Sequence, residues 1–306
     1  MSSEKNLKST SLCQEHLNSN AKMVNFAGWE MPIQYEGILA ETKNVRSIAG
    51  AFDVSHMGRV KITGKDSEIF LNKITSFDPK AMGDGQAKYG LICNEGGGII
   101  DDIILYRKTH MDYLLIPNAS NTTEVLNWIR KFKYKEDLEI EDITESTTMI
   151  SIQGPSSQKA LNNLIAPETI DLKRFRSTNS QYQGYDIFIG RTGYTGENGF
   201  EIISENIIGP SIWKHLLQLG VKPVGLGARD ILRLEAGLPL HGNEISKDIN
   251  PYQANLERFV NLGRGDYIAN VSLEKIIEKE KDISLIGFKV FDRIIPRHNN
   301  KIFNLS

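Results

Sequence analysis

The stretch at residues 99–106 constrains the fold more than any other, because two adjacent carboxylates interrupt an otherwise apolar run, IIDDIILY. Its length and composition predict a buried β-strand. Successive side chains of a strand point to opposite faces, so Asp101 and Asp102 face in opposite directions. A carboxylate buried without a partner is costly, so we expect at least one to meet a cation, a donor or a ligand. The alternative is an acid pair beside a turn, capping the glycine loop at residues 96–98.

Short β-like runs alternate with amphipathic helical stretches, which is typical of a mixed α+β protein. Strands are predicted at residues 60–64, 99–106, 113–117, 149–155, 185–191 and 283–291, and a further strand begins at Glu201. The spacing of the second and third predicts a hairpin. Helices are predicted at residues 66–75, 122–132, 156–164, 210–220 and 227–236. In the last of these helices, Ile231, Leu232 and Leu234 are expected on the buried side.

The charge balance argues against a general nucleic-acid binder, since 36 Lys and Arg stand against 38 Asp and Glu. No run approaches the roughly 18 apolar residues of a membrane span, and the N-terminus resembles neither a secretory signal nor a mitochondrial presequence. Cys13 and Cys93 lack metal-site or disulfide-framework spacing, and the histidines lack metal-ligand spacing. We therefore expect a cytoplasmic protein without a catalytic metal, with two or three domains in its 306 residues.

A glycine-rich turn at residues 191–201 (RTGYTGENGFE) precedes a predicted strand. Its glycines would let the backbone approach a flat ligand closely. Glu201 could then pair with a planar, guanidine-like donor edge, such as a pterin or guanine presents, through two parallel hydrogen bonds. The alternative is a tight hairpin with ordinary surface acids. The turn is not a phosphate loop, because no Gly-Lys-Ser/Thr follows.

Two other residues, Arg229 and His56, have side chains that could act in binding or catalysis, and the sequence pattern does not decide their roles. Arg229, on a helix rich in apolar residues, either pairs with Asp230 or Glu235 or reaches an anionic or carbonyl group of a ligand. His56 follows Ser55, which superficially suggests a hydrolase. Adjacent residues rarely form a nucleophile–base pair, and the chain contains no Gly-x-Ser-x-Gly elbow, so serine hydrolysis is disfavoured.

Taken together, six segments resemble the glycine cleavage T protein family, the aminomethyltransferases. They are AKMVNFAGWEMPIQY (21–35), AFDVSHMG (51–58), NEGGGIIDDIILY (94–106), IQGPSSQKAL (152–161), RTGYTGENGFE (191–201) and GLGARDILRLEAGLPLHGNE (225–244). They occur in the family's order, and the resemblance extends from about residue 7 to 298. FAGWEMP, FDVSHMG and RTGYTGE are highly specific as an ordered set.

The resemblance implies a three-domain, cloverleaf-like α+β fold around a tetrahydrofolate site. The expected domains are residues 1–50 with 145–250, which bind folate, residues 51–144, and residues 251–306 as a partial C-terminal β-barrel domain. The family's chain normally continues beyond IPRH (295–298), so we expect the sequence to be C-terminally truncated and its barrel incomplete. Open strand edges and an exposed apolar face would follow.

The implied reaction transfers an aminomethyl carbon from the lipoyl arm of the H protein to tetrahydrofolate, giving 5,10-methylenetetrahydrofolate and ammonia. Asp102 matches the family's catalytic aspartate, Glu201 would hold the pterin edge, and Arg229 matches a folate-contacting arginine. Other positions expected to line the site are Tyr89, Asn118, Tyr194 and Met57. The expected partners are folate and the lipoylated H protein, and the chain is expected to be a monomer.

The sequence also leaves other functions open, both within and beyond this superfamily. A folate-dependent demethylase or a sarcosine-type oxidase would share the folate site, but FAGWEMP favours the T protein, and an oxidase would need a flavin domain whose dinucleotide fingerprint is absent. A non-catalytic folate-binding protein of iron–sulfur assembly would carry a cysteine-containing KGCYxGQE motif, where this chain has RTGYTGE. A truncated, inactive relative is a further alternative.

Overall fold

The computed structural model describes residues 7–279, 281, 283–291, 296, 300, 301 and 303. Within them the strands are β1 (Lys8–Ser9), β2 (Lys22–Phe26), β3 (Trp29–Gln34), β4 (Gly50–Asp53), β5 (Val60–Thr63), β6 (Gln86–Cys93), β7 (Ile99–Thr109), β8 (Asp112–Ile116), β9 (Glu139–Asp142), β10 (Thr147–Gln153), β11 (Ser177–Tyr182), β12 (Tyr185–Gly190), β13 (Gly199–Glu205) and β14 (Lys222–Pro223). The α-helices are α1 (Cys13–Asn18), α2 (Ile38–Ser47), α3 (Ser67–Ile74), α4 (Thr122–Lys131), α5 (Ser157–Leu164), α6 (Gly209–Gln218), α7 (Leu226–Glu235) and α8 (Asn270–Ile277). Short 3₁₀ helices lie at Pro79–Ala81 and Glu257–Phe259.

Two large sheets form the body of the described chain. One has six strands in the order β11-β12-β13-β10-β4-β14, and the other has five in the order β6-β7-β8-β5-β9. A small sheet, β1-β3-β2, is formed by the N-terminal segment. The predicted hairpin is confirmed as β7 and β8, which pair antiparallel with Leu105 opposite Leu115. The mixed α/β character expected from the sequence is therefore present, and the exact domain boundaries stay a prediction.

The apolar core follows the two sheets. One cluster packs α5 and α6 against the six-stranded sheet, around Trp213 and Phe200. A second packs α3 and α4 against the five-stranded sheet, around Phe70 and Ile129. A third joins the inner faces of the two sheets, with Phe52 and Met149 from one and Tyr106 and Ile116 from the other. This shared cluster fixes the sheets face to face, which is the arrangement that places the candidate site between them.

Three expectations are corrected. In α7, Ala228 and Leu232 are buried, one helical turn apart, whereas Leu234 is 61% exposed because it lies about 200° around the helix from Leu232. Residues 283–291 are not a strand: the Leu285 N–H donates to Gln253 O, but no ladder continues from it within the described chain. The described residues after 250 hold a 3₁₀ turn and α8 but no strand, so they form no barrel; most residues of the 295–298 motif lie outside the described part.

A buried hydrogen-bonded group that the sequence did not reveal fixes the N-terminal segment. The ring of His16, on α1, lies 2.9 Å from Asp53 Oδ2 through Nε2 and 2.9 Å from the Tyr35 hydroxyl through Nδ1. Thr10 also donates to Asp53. These bonds to a fully buried carboxylate lower the pKa of Asp53 to about 2, against the cost of its desolvation. The N-terminal segment is thereby tied to β4 and to the loop that follows it.

That loop is held by Arg59, whose side chain is fully buried and has no carboxylate partner among the described residues. Its guanidinium donates to the carbonyl oxygens of Met57, Ser55, Thr144 and Thr147, and its Nε donates to Thr147 Oγ1 at 2.7 Å. Burial lowers the pKa of Arg59 to about 10, so the group remains charged at neutral pH. A buried cation satisfied by neutral acceptors fixes the backbone that carries Met57.

Replacing Arg59 with methionine should destabilise the protein by about 3–5 kcal/mol, because four buried carbonyl groups and a hydroxyl lose their donor together. The measurement is urea unfolding monitored by circular dichroism. Arg130→Met serves as control, since Arg130 is exposed on α4, and it should change stability by less than about 0.5 kcal/mol. Equal stability of the Arg59→Met and control proteins would contradict the assigned role.

Candidate active site

A cavity of about 650 Å³ opens between the two large sheets. Both sheets contribute side chains to it. All seven residues that the resemblance places at the site line this cavity: Asp102, Glu201, Arg229, Tyr89, Asn118, Tyr194 and Met57. Since they come from segments far apart in the chain, their convergence reflects the docking of the sheets, which no local pattern encodes.

Asp102 faces the cavity from β7 and is only 8% exposed. Its Oδ2 accepts a hydrogen bond from the Tyr89 hydroxyl at 3.1 Å, and its Oδ1 accepts one from Asn118 Nδ2 at 2.7 Å. The Tyr89 ring is itself held edge-on by Phe259, with centroids 4.6 Å apart. Two neutral donors therefore fix the carboxylate without neutralising it, and one side remains toward the cavity.

The neighbouring carboxylate, Asp101, is completely buried, and the Asn118 side-chain amide that bonds Asp102 bonds it too. It accepts hydrogen bonds from the backbone N–H and side-chain amide of Asn118 and from Asn121 Nδ2. The glycine loop at 96–98 is capped instead by Asn94 Oδ1, so the alternative in which the acid pair caps that loop is wrong. Asp101 holds Asn118, and Asn118 in turn holds Asp102.

Burial raises the pKa of both carboxyl groups, and the negative charge of Asp101 adds to the effect on Asp102. The bonds from Tyr89 and Asn118 oppose this shift without cancelling it. A carboxyl group whose pKa is raised toward neutrality can both take up and return a proton near physiological pH.

The raised pKa predicts a pH-dependent stability. Because the folded-state pKa of Asp102 exceeds the unfolded value, the folded protein binds more protons, and stability falls as pH rises from about 4 through the folded pKa. Asp102→Asn removes this loss, so it should stabilise the protein by at least about 1 kcal/mol more at pH 8 than at pH 4.5, the equivalent of roughly one pKa unit. Urea unfolding at both pH values measures the difference, and an equal change at the two would contradict it.

Glu201 faces the same cavity from β13, on the other large sheet. Its Oε2 accepts a hydrogen bond from Thr192 Oγ1 at 2.5 Å and one from the Tyr106 hydroxyl at 3.3 Å. Oε1 has no hydrogen-bond partner among the described residues. Burial raises the pKa of this carboxyl group, while Thr192 and Arg229 oppose the shift. One oxygen of this cavity-lining side chain is therefore anchored, and the other is free of hydrogen bonds to the described residues.

The glycine-rich turn is positioned by Gln153 and Arg46. A Cβ on Gly193 or Gly199 would lie 2.1 Å from the Gln153 amide, so these glycines are required by Gln153 as well as lining the cavity. Gln153 donates to Thr192 O and accepts from the Thr195 hydroxyl. Arg46 donates to Thr195 O at 2.6 Å and pairs with Glu197 at 3.0 Å. These bonds orient Thr192, which holds Glu201.

Arg229 lines the cavity from α7 and lies with its guanidinium 4.6 Å from the centre of the Tyr194 ring. Neither of the predicted structural partners takes it: Asp230 pairs with Arg233, and Glu235 pairs with Arg46. Burial lowers the pKa of Arg229. Its guanidinium N–H groups have no acceptor among the described residues, which favours the alternative in which Arg229 reaches a ligand over pairing with Asp230 or Glu235.

The geometry of Ser55 and His56 also argues against a serine hydrolase. The Ser55 hydroxyl donates to Met149 O and accepts from the Met149 N–H, so it is engaged with backbone. His56 packs edge-on to Phe26, and its buried Nδ1 makes no hydrogen bond within the described chain. Burial, with the nearby charge of Arg229, lowers the pKa of His56 to about 3. No group of three or more His, Cys, Asp or Glu side chains in the described ranges could hold a metal ion.

Sequence reasoning missed several residues of this site. Tyr106 and Thr192 support Glu201, Phe259 supports Tyr89, and Arg174 and Arg258 also line the cavity. Of these, Tyr106 could have been identified from the sequence. It ends the IIDDIILY run on the same strand as Asp102, and a tyrosine hydroxyl needs a hydrogen-bond partner when it is buried. The two arginines lie outside any recognisable motif, so no signal marked them.

Comparison with known proteins gives consistent matches. The family model described as the GCVT N-terminal domain matches residues 12–264. The chain is 37% identical over 302 residues to the aminomethyltransferase of Thermoanaerobacter pseudethanolicus, covering 97% of this chain and 82% of that protein. It is 40% identical over 305 residues to the aminomethyltransferase of Chloroherpeton thalassium, covering 98% and 84%.

A solved structure shares the fold. The glycine cleavage system aminomethyltransferase T from Bartonella henselae superposes with a TM-score of 0.83 and 34% sequence identity, covering 89% of this chain and 75% of that one. No helix in the described part of the chain is long and apolar enough to cross a membrane.

Proposed function

Since the chain belongs to the GCVT family of glycine cleavage aminomethyltransferases, we propose that the cavity of this aminomethyltransferase binds tetrahydrofolate as the acceptor and that Asp102 handles the proton of its reacting amine. The observation that carries the proposal is that Asp102 and Glu201, from different sheets, face one cavity of about 650 Å³. Such a volume suits a single small ligand.

Glu201 and Arg229 bind the two ends of the folate differently. The unpartnered Oε1 of Glu201, with the anchored Oε2 beside it, accepts from the amino and ring N–H groups of the pterin edge. Arg229, stacked on Tyr194, supplies a cation for the carbonyl or carboxylate groups farther along the ligand. The apolar walls, including Ile104, Ile116 and Met149, contact the flat rings. Met57 and Tyr194 complete this wall.

The reaction needs a group that moves protons. The aminomethyl carbon leaves the lipoyl sulfur and its own nitrogen and forms bonds to two amine nitrogens of the folate. Two protons therefore leave the folate amines. One goes to the departing lipoyl thiolate, and the other goes to the departing amino group, which is released as ammonia. Asp102, held by Tyr89 and Asn118 and with a raised pKa, accepts a proton from the attacking amine and returns it to a leaving group. Binding also holds the folate amine next to the aminomethyl carbon, and this fixed orientation accelerates the reaction further.

The donor of the carbon is the aminomethylated lipoyl arm of the H protein, which enters the cavity from solvent. The cytoplasmic location and monomeric state expected from the sequence stay predictions.

Ammonia release tests this proposal. Purified protein is mixed with aminomethylated H protein, with and without tetrahydrofolate, and ammonia and 5,10-methylenetetrahydrofolate are measured. We expect both products in equal amounts and only when folate is present. Folate binding without either product would point to a different one-carbon donor, and absence of folate binding would refute the assignment of the cavity.

A further inference from the structure

Two hydroxyl groups meet at one oxygen of Glu201. Thr192 Oγ1 lies 2.5 Å from Glu201 Oε2 and 2.5 Å from the Tyr106 hydroxyl, which itself lies 3.3 Å from Oε2. Tyr106 is 1% exposed and Thr192 8%. A Cβ on Gly190 would lie 2.4 Å from the Tyr106 hydroxyl oxygen, so the six-stranded sheet packs directly against this group. Because both hydroxyls are buried, their protons need acceptors within the protein.

The number of protons fixes the direction of these bonds. Each hydroxyl donates one proton, and within the described chain neither has a side-chain or backbone acceptor outside this group of three. When Oε2 is unprotonated, Thr192 donates to it, Tyr106 donates to Thr192 or to Oε2, and both protons are satisfied. A proton on Oε2 would reverse the chain and leave the tyrosine proton with the acid's own O–H oxygen, a weak acceptor. Loss of a good acceptor for a buried donor disfavours that form.

The second oxygen, Oε1, takes its role from this arrangement. Any proton that Glu201 takes up is directed to Oε1, the oxygen without a partner among the described residues. Oε1 accepts hydrogen bonds when the carboxyl group is ionised and donates one when it is protonated. Of the charged or titratable groups around it, Arg229 on α7 favours the ionised form, against the effect of burial. Tyr106 keeps its proton, because burial and the charge of Glu201 raise its pKa.

We propose that Thr192 is a positioning residue for ligand recognition: its hydroxyl, backed by Tyr106, keeps Glu201 in the form that only accepts hydrogen bonds and so selects a ligand edge made of N–H donors. Thr192 acts through Glu201, whose free oxygen makes the contact. The inference rests on the folate-binding role proposed above. It adds that the preference for a donor edge depends on a neutral hydroxyl in the glycine-rich turn as well as on the carboxylate.

The test is the dissociation constant of 5-formyltetrahydrofolate, measured by titration calorimetry from pH 5.5 to pH 9 for the wild type and Thr192→Val. Valine keeps the shape of threonine but cannot donate, and loss of a hydrogen bond to a charged group should raise the pKa of Glu201 by about one unit. The variant should therefore bind about five- to tenfold more weakly than the wild type at pH 5.5 and within about twofold of it at pH 9. Titration of the ligand itself cancels in this ratio.

Three further variants separate this role from a structural one. Thr192→Ser restores the hydroxyl and should bind within about twofold of the wild type at every pH. Thr148→Val removes another buried hydroxyl of the same sheet, which bonds Ser11 and Asn206 and does not line the cavity, and it should leave the affinity unchanged. Tyr106→Phe should shift the pH dependence in the same direction as Thr192→Val by a smaller amount, and it carries the test if valine at residue 192 unfolds the protein.

A loss of affinity in Thr192→Val that is equal at pH 5.5 and pH 9 would make Thr192 a structural support only, and the proposed role would be wrong. No loss at either pH would overturn the role as well. Both results would leave the folate site intact. Failure of the wild type to bind the compound at every pH would overturn the proposed folate site itself, and the role of Thr192 with it.

Discussion

Replacing Asp102 with asparagine should lower the rate of ammonia release about 10³-fold while folate still binds within a few fold of the wild type. Asparagine preserves the shape, can still accept from Asn118 through its one oxygen, and can donate its amide to the Tyr89 hydroxyl oxygen. It cannot, however, accept and return a proton. General acid–base groups contribute roughly 10²–10⁴-fold to enzyme rates. Single-turnover ammonia release and calorimetric folate titration measure the two quantities separately.

Asp171→Asn is the control for this substitution, since Asp171 is exposed and makes no side-chain hydrogen bond among the described residues. It should leave both the rate and the affinity unchanged. An Asp102→Asn enzyme that retained a tenth or more of the wild-type rate would show that proton transfer passes through another group. A loss of folate binding equal to the loss of rate would assign Asp102 to binding alone.

Replacing Glu201 with glutamine should weaken folate binding about 10–100-fold, with a much smaller effect on the rate at saturating folate. The change removes the charge and turns one of the two acceptors into a donor, which cannot pair with the donor edge of a pterin. Hydrogen bonds to a charged group contribute about 1.5–3 kcal/mol, which corresponds to this range of affinity. The KM for folate and the dissociation constant should rise together.

Glu205 supplies a matched control on the same strand, because it lies four residues farther along β13 and is exposed. Glu205→Gln should bind folate as the wild type does. Should Glu201→Gln bind folate normally, the pterin edge would have to lie elsewhere in the cavity, and the anchoring of Oε2 by Thr192 would be structural only.

The sequence predicted those parts of the site that lie in short, chemically unusual segments. Asp102 stood out because two carboxylates within a buried strand demand an explanation, and Glu201 because it follows a glycine-rich turn. Which of the two aspartates meets the cavity was not predictable locally. Asn118 Nδ2 donates to both carboxylates, whereas Asn121 Nδ2 donates only to Asp101, so the surrounding amides enclose Asp101 more completely than Asp102.

What could not be predicted depends on contacts between distant segments. Arg59 lies in no charged pattern, because its partners are backbone carbonyls 85 or more residues away as well as adjacent ones. Arg174 and Arg258 meet at the cavity only through the docking of their loops. Apolar character alone does not place Leu234 in the core, because its neighbour Arg233, paired with Asp230 and Glu244, occupies the buried position. Residues 283–291 have strand-like composition, but within the described chain no strand pairs with them.

The Tyr106 hydroxyl has a consequence for how the enzyme can be switched off. It projects from the same strand as Asp102, yet it contacts Thr192 and Glu201 of the opposite sheet. Asp102 and Glu201 thus lie on separate sheets, which are joined by this phenol, by the apolar cluster around it, and by backbone hydrogen bonds between residues 85–87 and 175–177. A compound that wedges the sheets apart by about an ångström would lower turnover about 10²-fold without occupying the folate position. Because the proposed ligand contacts both sheets, folate and such a compound would each weaken the binding of the other.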